Sequence, residues 1–243
     1  MGTESDRVKI IGERLASMFT EEDFRPRTNY DLNESLSVVK AIGKRLCPEF
    51  SIDADNRALY ENLIRWCHSD PNLMAKNPFT GADIAGDPKR GIYIAGGTGT
   101  GKTMSLLVMS YYCRLYGLKL FTGTETRLLA WKSVAADEIS RTYAKTGDIS
   151  EYIGREILCI QDLGNESEAS SYMGNRVYVT RQLICTRADR RRGYLLVTSN
   201  MKIAGDKIAA AYDDRTASRL ADMCNYYELR GRDRRKQRFS PQY

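Results

Sequence analysis

The chain contains no apolar run long enough to cross a bilayer, a single histidine, and six cysteines without one CxxC spacing among them. The first absence excludes a transmembrane helix and leaves a membrane out of the expected partners. The other two exclude a zinc site built on the usual ligand spacings: Cys47, Cys67, Cys113, Cys159, Cys185 and Cys224 are scattered, and only His68 could join them. The cysteines are therefore read as reduced thiols, with Cys113 and Cys159 serving as small hydrophobes inside apolar segments. The opening residues are acidic and lack the apolar stretch of a secretory signal, and Asp6 stands where a myristoylation motif needs Ser or Thr. A cytoplasmic location is the expectation. There is no internal repeat and no long low-complexity tract. A hydrophobic fraction of 42% is too high for wholesale disorder, and a net charge of +6 permits a polyanionic partner without requiring one.

What is present has the periodicity of an α/β protein. Val8, Ile11, Leu15 and Met18 predict an amphipathic helix over residues 5–19, and Leu36, Val39, Ile42 and Leu46 predict another over 34–46, closed by Pro48. The stretch Phe24 to Asn29 between them reads as a turn. These elements make a helical N-terminal extension over residues 1–48, a candidate partner-binding region that packs on the main domain or on a partner. A third helix is expected over Asn56 to His68, and the Asn-, Pro- and Gly-rich stretch Pro71 to Lys89 reads as a loop. From Gly91 the chain alternates short apolar runs (Ile92–Ala95, Leu118–Thr122, Ile157–Ile160, Leu195–Thr198) with longer amphipathic ones (Met104–Tyr116, Arg127–Tyr143, Val177–Ala188). Strands alternating with helices predict a central parallel sheet covered on both faces. The expectation is a three-layer α/β domain over 49–243, ending in a basic tail.

Gly96, Gly97, Thr98, Gly99, Thr100, Gly101, Lys102 and Thr103 match GxxxxGK[ST] between an expected strand and an expected helix. Glycines let successive N–H groups turn toward phosphate oxygens, and the helix N-terminus adds its positive dipole. Lys102 is expected to reach the β and γ phosphates of ATP, and the Thr103 hydroxyl to bind Mg2+. Such a site needs an acid at a neighbouring strand end to hold Mg2+ or polarise water, and Ile157 to Asp162 supplies one. Where two acids often stand, Gln161 takes the first place and adds no charge; Asp162 takes the second, and Glu166 follows. The alternative for Asp162 is a cap after a buried strand. Asn200, at the end of Leu195–Asn200, is placed to orient water against the γ-phosphate.

The runs Ile160–Glu166, Tyr172–Arg176, Val197–Asn200 and Tyr212–Leu220 together resemble the replicative helicase loaders of the DnaC/DnaI type and their IstB-like relatives, over residues 50–238. The resemblance implies a P-loop fold of the ASCE/AAA+ kind, an ATPase, ATP-dependent self-association, single-stranded DNA and a replicative DNA helicase as partners. It also implies that Arg219, in Ser218-Arg219-Leu220, acts as an arginine finger on ATP in the next subunit, with Arg215 one turn earlier assisting. The family's acidic motif is usually Asp-Asp-Leu-Gly, so Gln161 is a departure that implies slow hydrolysis. The alternative for Arg215 and Arg219 is surface ion pairing with Asp213, Asp214 or Asp222. Arg234 or Arg235 in the basic tail has two readings, a sensor-like nucleotide contact or DNA phosphate binding. Arg187, Arg190, Arg191 and Arg192 form a second basic cluster that could face a single strand. Two rival functions share the pocket: an IstB-like transposition ATPase acting on duplex DNA with a transposase, and a non-hydrolysing ATP-dependent switch. A small-molecule kinase is disfavoured because no acceptor-site constellation is evident.

Overall fold

The strands that carry the molecule's centre are apolar along nearly their whole length, as strands buried on both faces must be. The computed structural model describes residues 25–122, 125–166, 170–172, 175–190, 193–204 and 206–235. The helix expected over residues 5–19 lies outside the described residues, as do Arg191, Arg192 and the end of the basic tail. In chain order the elements are α1 (Leu32–Leu46), α2 (Arg57–Cys67), β1 (Met74–Lys76), β2 (Asp83–Ala85), β3 (Gly91–Gly96), α3 (Lys102–Leu115), β4 (Lys119–Phe121), β5 (Thr126–Leu128) and β6 (Ser133–Ala135). There follow α4 (Ala136–Thr146), α5 (Ser150–Gly154), β7 (Ile157–Leu163), β8 (Ser170–Tyr172), β9 (Asn175–Val177), α6 (Val179–Arg190), β10 (Tyr194–Ser199), α7 (Asp206–Ala211), α8 (Asp214–Met223) and β11 (Cys224–Leu229).

Seven strands form one sheet in the order β2-β1-β11-β3-β10-β7-β6. From β11 to β6 every pairing is parallel, and the hairpin β1–β2 is added antiparallel at the β11 edge. Alternation along the central strands sends residues to two cores. Ile92, Ile94, Cys159 and Leu196 join α1, α2 and α3 on one face, while Tyr93, Ala95, Leu158, Ile160, Leu195 and Val197 join α4, α6 and α8 on the other. The three-layer α/β expectation is therefore met, and no described helix is long and apolar enough to cross a membrane.

Three local expectations need correction, and one strand was not expected. The Pro71–Lys89 stretch holds the hairpin β1–β2, whose three-residue strands are too short to show a pattern. The helix expected from Arg127 starts at Ala136, because Thr126–Leu128 pairs with β4 and Ser133–Ala135 joins the main sheet beside β7. Leu118–Thr122 forms a ribbon with β5 outside the main sheet. The parallel strand β11 escaped notice because Asn225 and Glu228 interrupt its apolar run; Asn225 is buried, and its amide donates to the carbonyls of Asp87 at 2.8 Å and Gly91 at 3.1 Å.

Helix α1, from the expected N-terminal extension, packs on the main domain. Leu36 and Val39 of α1 share the core of Ile92 and Leu106, and the Tyr112 hydroxyl donates to Ser35 Oγ at 2.9 Å. Residues 25–31 form a tether rather than a turn: the buried Arg25 guanidinium lies 3.7 Å over the Trp66 ring and donates to the carbonyls of Trp66 and Pro88. The same tether encloses His68, which is 1% exposed. Its Nδ1 meets Thr28 Oγ1 at 2.5 Å, its Nε2 meets the Tyr112 hydroxyl at 2.7 Å, and Tyr30 stacks on the ring at 4.2 Å. Burial pushes its pKa down to about 4.

That shift has a direction in stability. An unfolded histidine titrates near ~6.5, so between there and about 4 the unfolded chain binds the extra proton and the fold loses stability as pH falls. The loss should reach about 3 kcal/mol by pH ~4. Urea unfolding at neutral and acidic pH should show a correspondingly shallower acid loss in His68→Gln than in the wild type, and an imidazole resonance titrating near its ordinary value would contradict it.

Candidate functional site

The strand β3 runs into α3 through residues whose main chain has to reverse tightly. Gly101 takes the N-cap position of α3 at φ 101°, a left-handed conformation that a side chain would strain, so the chain can enter the helix directly from the loop. This entry places Lys102 at the first turn, 5% exposed. Its ammonium donates to Gly96 O at 2.9 Å, Gly97 O at 2.8 Å and Asn200 Oδ1 at 2.8 Å. Burial lowers its pKa; the Asp162 carboxylate opposes that shift and Arg235 adds to it. Gly96 and Gly97 thus hold the lysine through their carbonyls, whereas Thr98, Gly99, Thr100, Gly101, Lys102 and Thr103 line a cavity of about 600 Å3.

The acid reaches this cavity by an irregularity in the sheet. Val197 of β10 pairs with Ile160 and Ser199 with Leu163, so β7 carries one residue more than its partner between those pairs. Such a bulge re-aims a side chain. Asp162 sits in it at φ 54°, a conformation rare for a residue other than glycine. Two hydroxyls of β10 hold it there: Thr198 Oγ1 accepts from Asp162 N at 3.2 Å, and Ser199 Oγ donates to Leu163 O at 2.7 Å. Asp162 consequently lines the cavity with Asn200 and Thr103, and Gln161 does not. Thr198 and Ser199 were legible only as polar residues at a strand end.

The apolar part of the cavity wall is drawn from distant segments, with Phe50, Tyr60, Met104, Leu107 and Leu229 on it beside the polar Glu49, Ser51, Asn56 and Asn165. No spacing rule joins those positions. A hydroxyl from Thr103 and one carboxylate from Asp162 fit Mg2+, which keeps most of its shell as water and phosphate oxygen. No cluster of three or more His, Cys, Asp or Glu side chains suited to a metal exists among the described residues.

Several expected residues lie elsewhere. Arg219 and Arg215 project from α8 to Asp189 of α6, at 2.6 and 3.4 Å, and line no part of the cavity. The two arginines do share a face, and their acid partner is Asp189 rather than Asp213, Asp214 or Asp222. Glu166 turns away from the cavity, accepting from Gly164 N at 2.8 Å and from the Tyr212 hydroxyl. Arg187 is corrected outright as a DNA-facing residue. It is 1% exposed, and its guanidinium donates to the carbonyls of Tyr152, Ile153, Arg155 and Tyr194. Arg190 of the same cluster is exposed. Arg234 and Arg235 line the cavity.

No protein-family model matches the chain, and no curated protein matches it. Among solved structures, a candidate primosome component from Streptococcus pyogenes serotype M3 aligns at a TM-score of 0.49 and 15% identity, over 74% of this chain and 81% of that one. The replication initiator DnaA bound to AMPPCP and single-stranded DNA aligns at 0.46 and 17%, over 74% of this chain and 48% of DnaA. The DnaC helicase loader aligns at 0.44 and 12%, over 74% and 93%. These likenesses are too slight to bear on function.

Proposed function

We propose that this chain is an ATPase that assembles on ATP and delivers a replicative helicase to single-stranded DNA. The observation that carries the nucleotide part is the convergence of the Lys102 ammonium, the Thr103 hydroxyl, the Asp162 carboxylate and the Asn200 amide on one cavity at the carboxyl ends of parallel strands. The helicase part rests on the resemblance of the motifs from Ile160 to Leu220 to the DnaC/DnaI-type loaders.

In this reading the triphosphate takes the place of the carbonyl and amide oxygens that now hold Lys102, so the ammonium moves from neutral acceptors to anionic ones. Main-chain N–H groups of the loop and the dipole of α3 add to its grip. Mg2+, held by Thr103 and Asp162, would neutralise charge on the β and γ phosphates. Asp162 accepts a hydrogen bond from the attacking water and Asn200 orients it, which is why the bulge that aims Asp162 matters to turnover. Arg219 leaves Asp189 and enters the cavity of a neighbouring protomer, with Arg215 beside it; its guanidinium compensates charge growing in the transition state and makes hydrolysis depend on assembly. The first 48 residues contribute the grip on the helicase.

Phosphate release should be slow and rise with single-stranded DNA. Asp162→Asn and Arg219→Ala should each lower it by about a hundredfold or more, the first leaving ATP affinity near that of the wild type. Undiminished release in Arg219→Ala would remove the trans-acting arginine from the scheme. Gln161 favours one second reading, a switch that binds ATP and assembles without hydrolysing it; assembly on ATP with no phosphate release from the wild type would establish that reading instead. Filaments on duplex DNA, with no capture of a hexameric helicase, would establish the IstB-like one.

A further inference from the structure

Residues 231–235 form a strap across the outside of the phosphate loop. Arg234 N donates to Gly99 O at 2.9 Å, and Arg234 Nε donates to Thr100 O at 3.2 Å, so one residue ties two successive loop carbonyls. Its other two nitrogens close a two-pronged pair on Asp53, each at 2.8 Å. Asp53 is itself fixed at the start of α2, where its carbonyl accepts from Asn56 N and Arg57 N and its N–H donates to Asn56 Oδ1 at 2.9 Å. The strap lies so close to the loop that a Cβ on Gly99, already at φ 77°, would stand 1.8 Å from Asp233 Oδ1. The guanidinium is mostly enclosed, its side chain 20% exposed, and hydrogen bonding to it holds the Asp53 carboxyl below the ordinary carboxylate range, so the pair stays ionised at neutral pH.

The geometry explains what such a strap does. In a trans peptide the C=O and the following N–H point in opposite directions. Tying Gly99 O and Thr100 O to the strap therefore directs the N–H groups of Thr100 and Gly101 away from it, and fixes two peptide planes that would otherwise be free to rotate in a glycine-rich segment. A bidentate arginine–carboxylate pair supplies this restraint with a geometry that lysine cannot reproduce.

We infer that Arg234 is a positioning residue of the nucleotide site: although it lines the cavity, its guanidinium is committed to Asp53 and Thr100 O, and it holds the outer turn of the phosphate loop in the form that receives the triphosphate rather than binding nucleotide. This rests on the nucleotide reading given above, and it decides between the two roles left open for that arginine by assigning it neither.

The test measures hydrogen exchange of the loop amides in the full-length, ligand-free chain, together with calorimetric titration of MgATP and MgADP. In Arg234→Ala the peptide spanning residues 97–103 should exchange about tenfold faster, and affinity for both nucleotides should fall by about the same factor. Because the restraint precedes binding, MgATP and MgADP should lose equally. Arg234→Lys should recover little. Asp53→Asn keeps the shape of the side chain and guards against a folding defect; it should behave like Arg234→Ala, and the double variant should be no worse than either single one. Exchange and affinity within about twofold of the wild type would overturn the inference, and so would losses that multiply in the double variant or fall on MgATP alone. If the wild type binds neither nucleotide, the proposed function fails, and the exchange measurement still decides whether the strap restrains the loop.

Discussion

Lys102→Ala should weaken MgATP binding by at least about a hundredfold, or close to 3 kcal/mol, while the protein stays folded. Lys102 is 5% exposed, and its ammonium has three oxygen acceptors at 2.8–2.9 Å. It is the one group in the loop that brings a full positive charge to the cavity from a buried position, where the surroundings screen little. Burial already disfavours that charge, so the fold does not depend on keeping it. Lys102→Met, of similar length and without charge, should lose as much affinity, which separates charge from space filling. Titration with a fluorescent ATP analogue in the presence of magnesium reads both variants, alongside a melting curve for each. A Kd within about tenfold of the wild type for both would mean that the cavity does not hold a triphosphate on this lysine.

Arg187→Met should cost on the order of 2–3 kcal/mol of folding stability, and the loss should appear in urea unfolding rather than in the salt dependence of DNA binding. Methionine fills similar space but donates nothing. The carbonyl oxygens of Tyr152, Ile153 and Arg155, which receive Nη1 at 3.1, 2.9 and 2.8 Å, would lose their common donor, as would Tyr194 O at 3.2 Å. Those carbonyls end α5 and begin β10, so Arg187 of α6 closes the seam where a short helix, a long helix and a central strand meet. A loss under about 1 kcal/mol would show that water replaces the guanidinium there. An exposed phosphate-binding arginine behaves differently: its removal leaves unfolding unchanged and flattens the slope of affinity against salt.

The contrast between these two basic residues shows what a local pattern encodes. The position of Lys102 at the start of a helix was legible because its surroundings are contiguous: strand, turn and helix occupy adjacent positions, and the glycines that permit the turn stand between them. Arg187 belonged by composition to a basic cluster; helical spacing does put it on the buried face with Leu183 and Ile184, but no local pattern names the carbonyls that receive its guanidinium. Only the approach of α5 and β10 does. The same difference separates β3 and β10, legible as unbroken apolar runs, from β11, where Asn225 is accommodated because distant carbonyls of Asp87 and Gly91 receive its amide. It also separates α1, whose apolar spacing was evident, from its membership of the main core, which depends on α3 lying alongside.

The amino-acid sequence by itself determined the layered α/β order, the glycine-rich turn from β3 into α3 and the residue types gathered around it, since each of those rests on short-range requirements: a period of two or 3.6, a φ that glycine tolerates, a lysine at a helix start. Only the tertiary structure decided that Asp162 faces the cavity while Gln161 does not, through a bulge held by a hydroxyl 36 positions away. It likewise decided that Arg215 and Arg219 share Asp189, that Arg187 meets the carbonyls of Tyr152, Ile153 and Arg155, and that Arg234 meets Asp53 across 181 positions. Hydrogen bonds and ion pairs of that reach are set by which elements become neighbours when the sheet closes, and no local spacing carries that information.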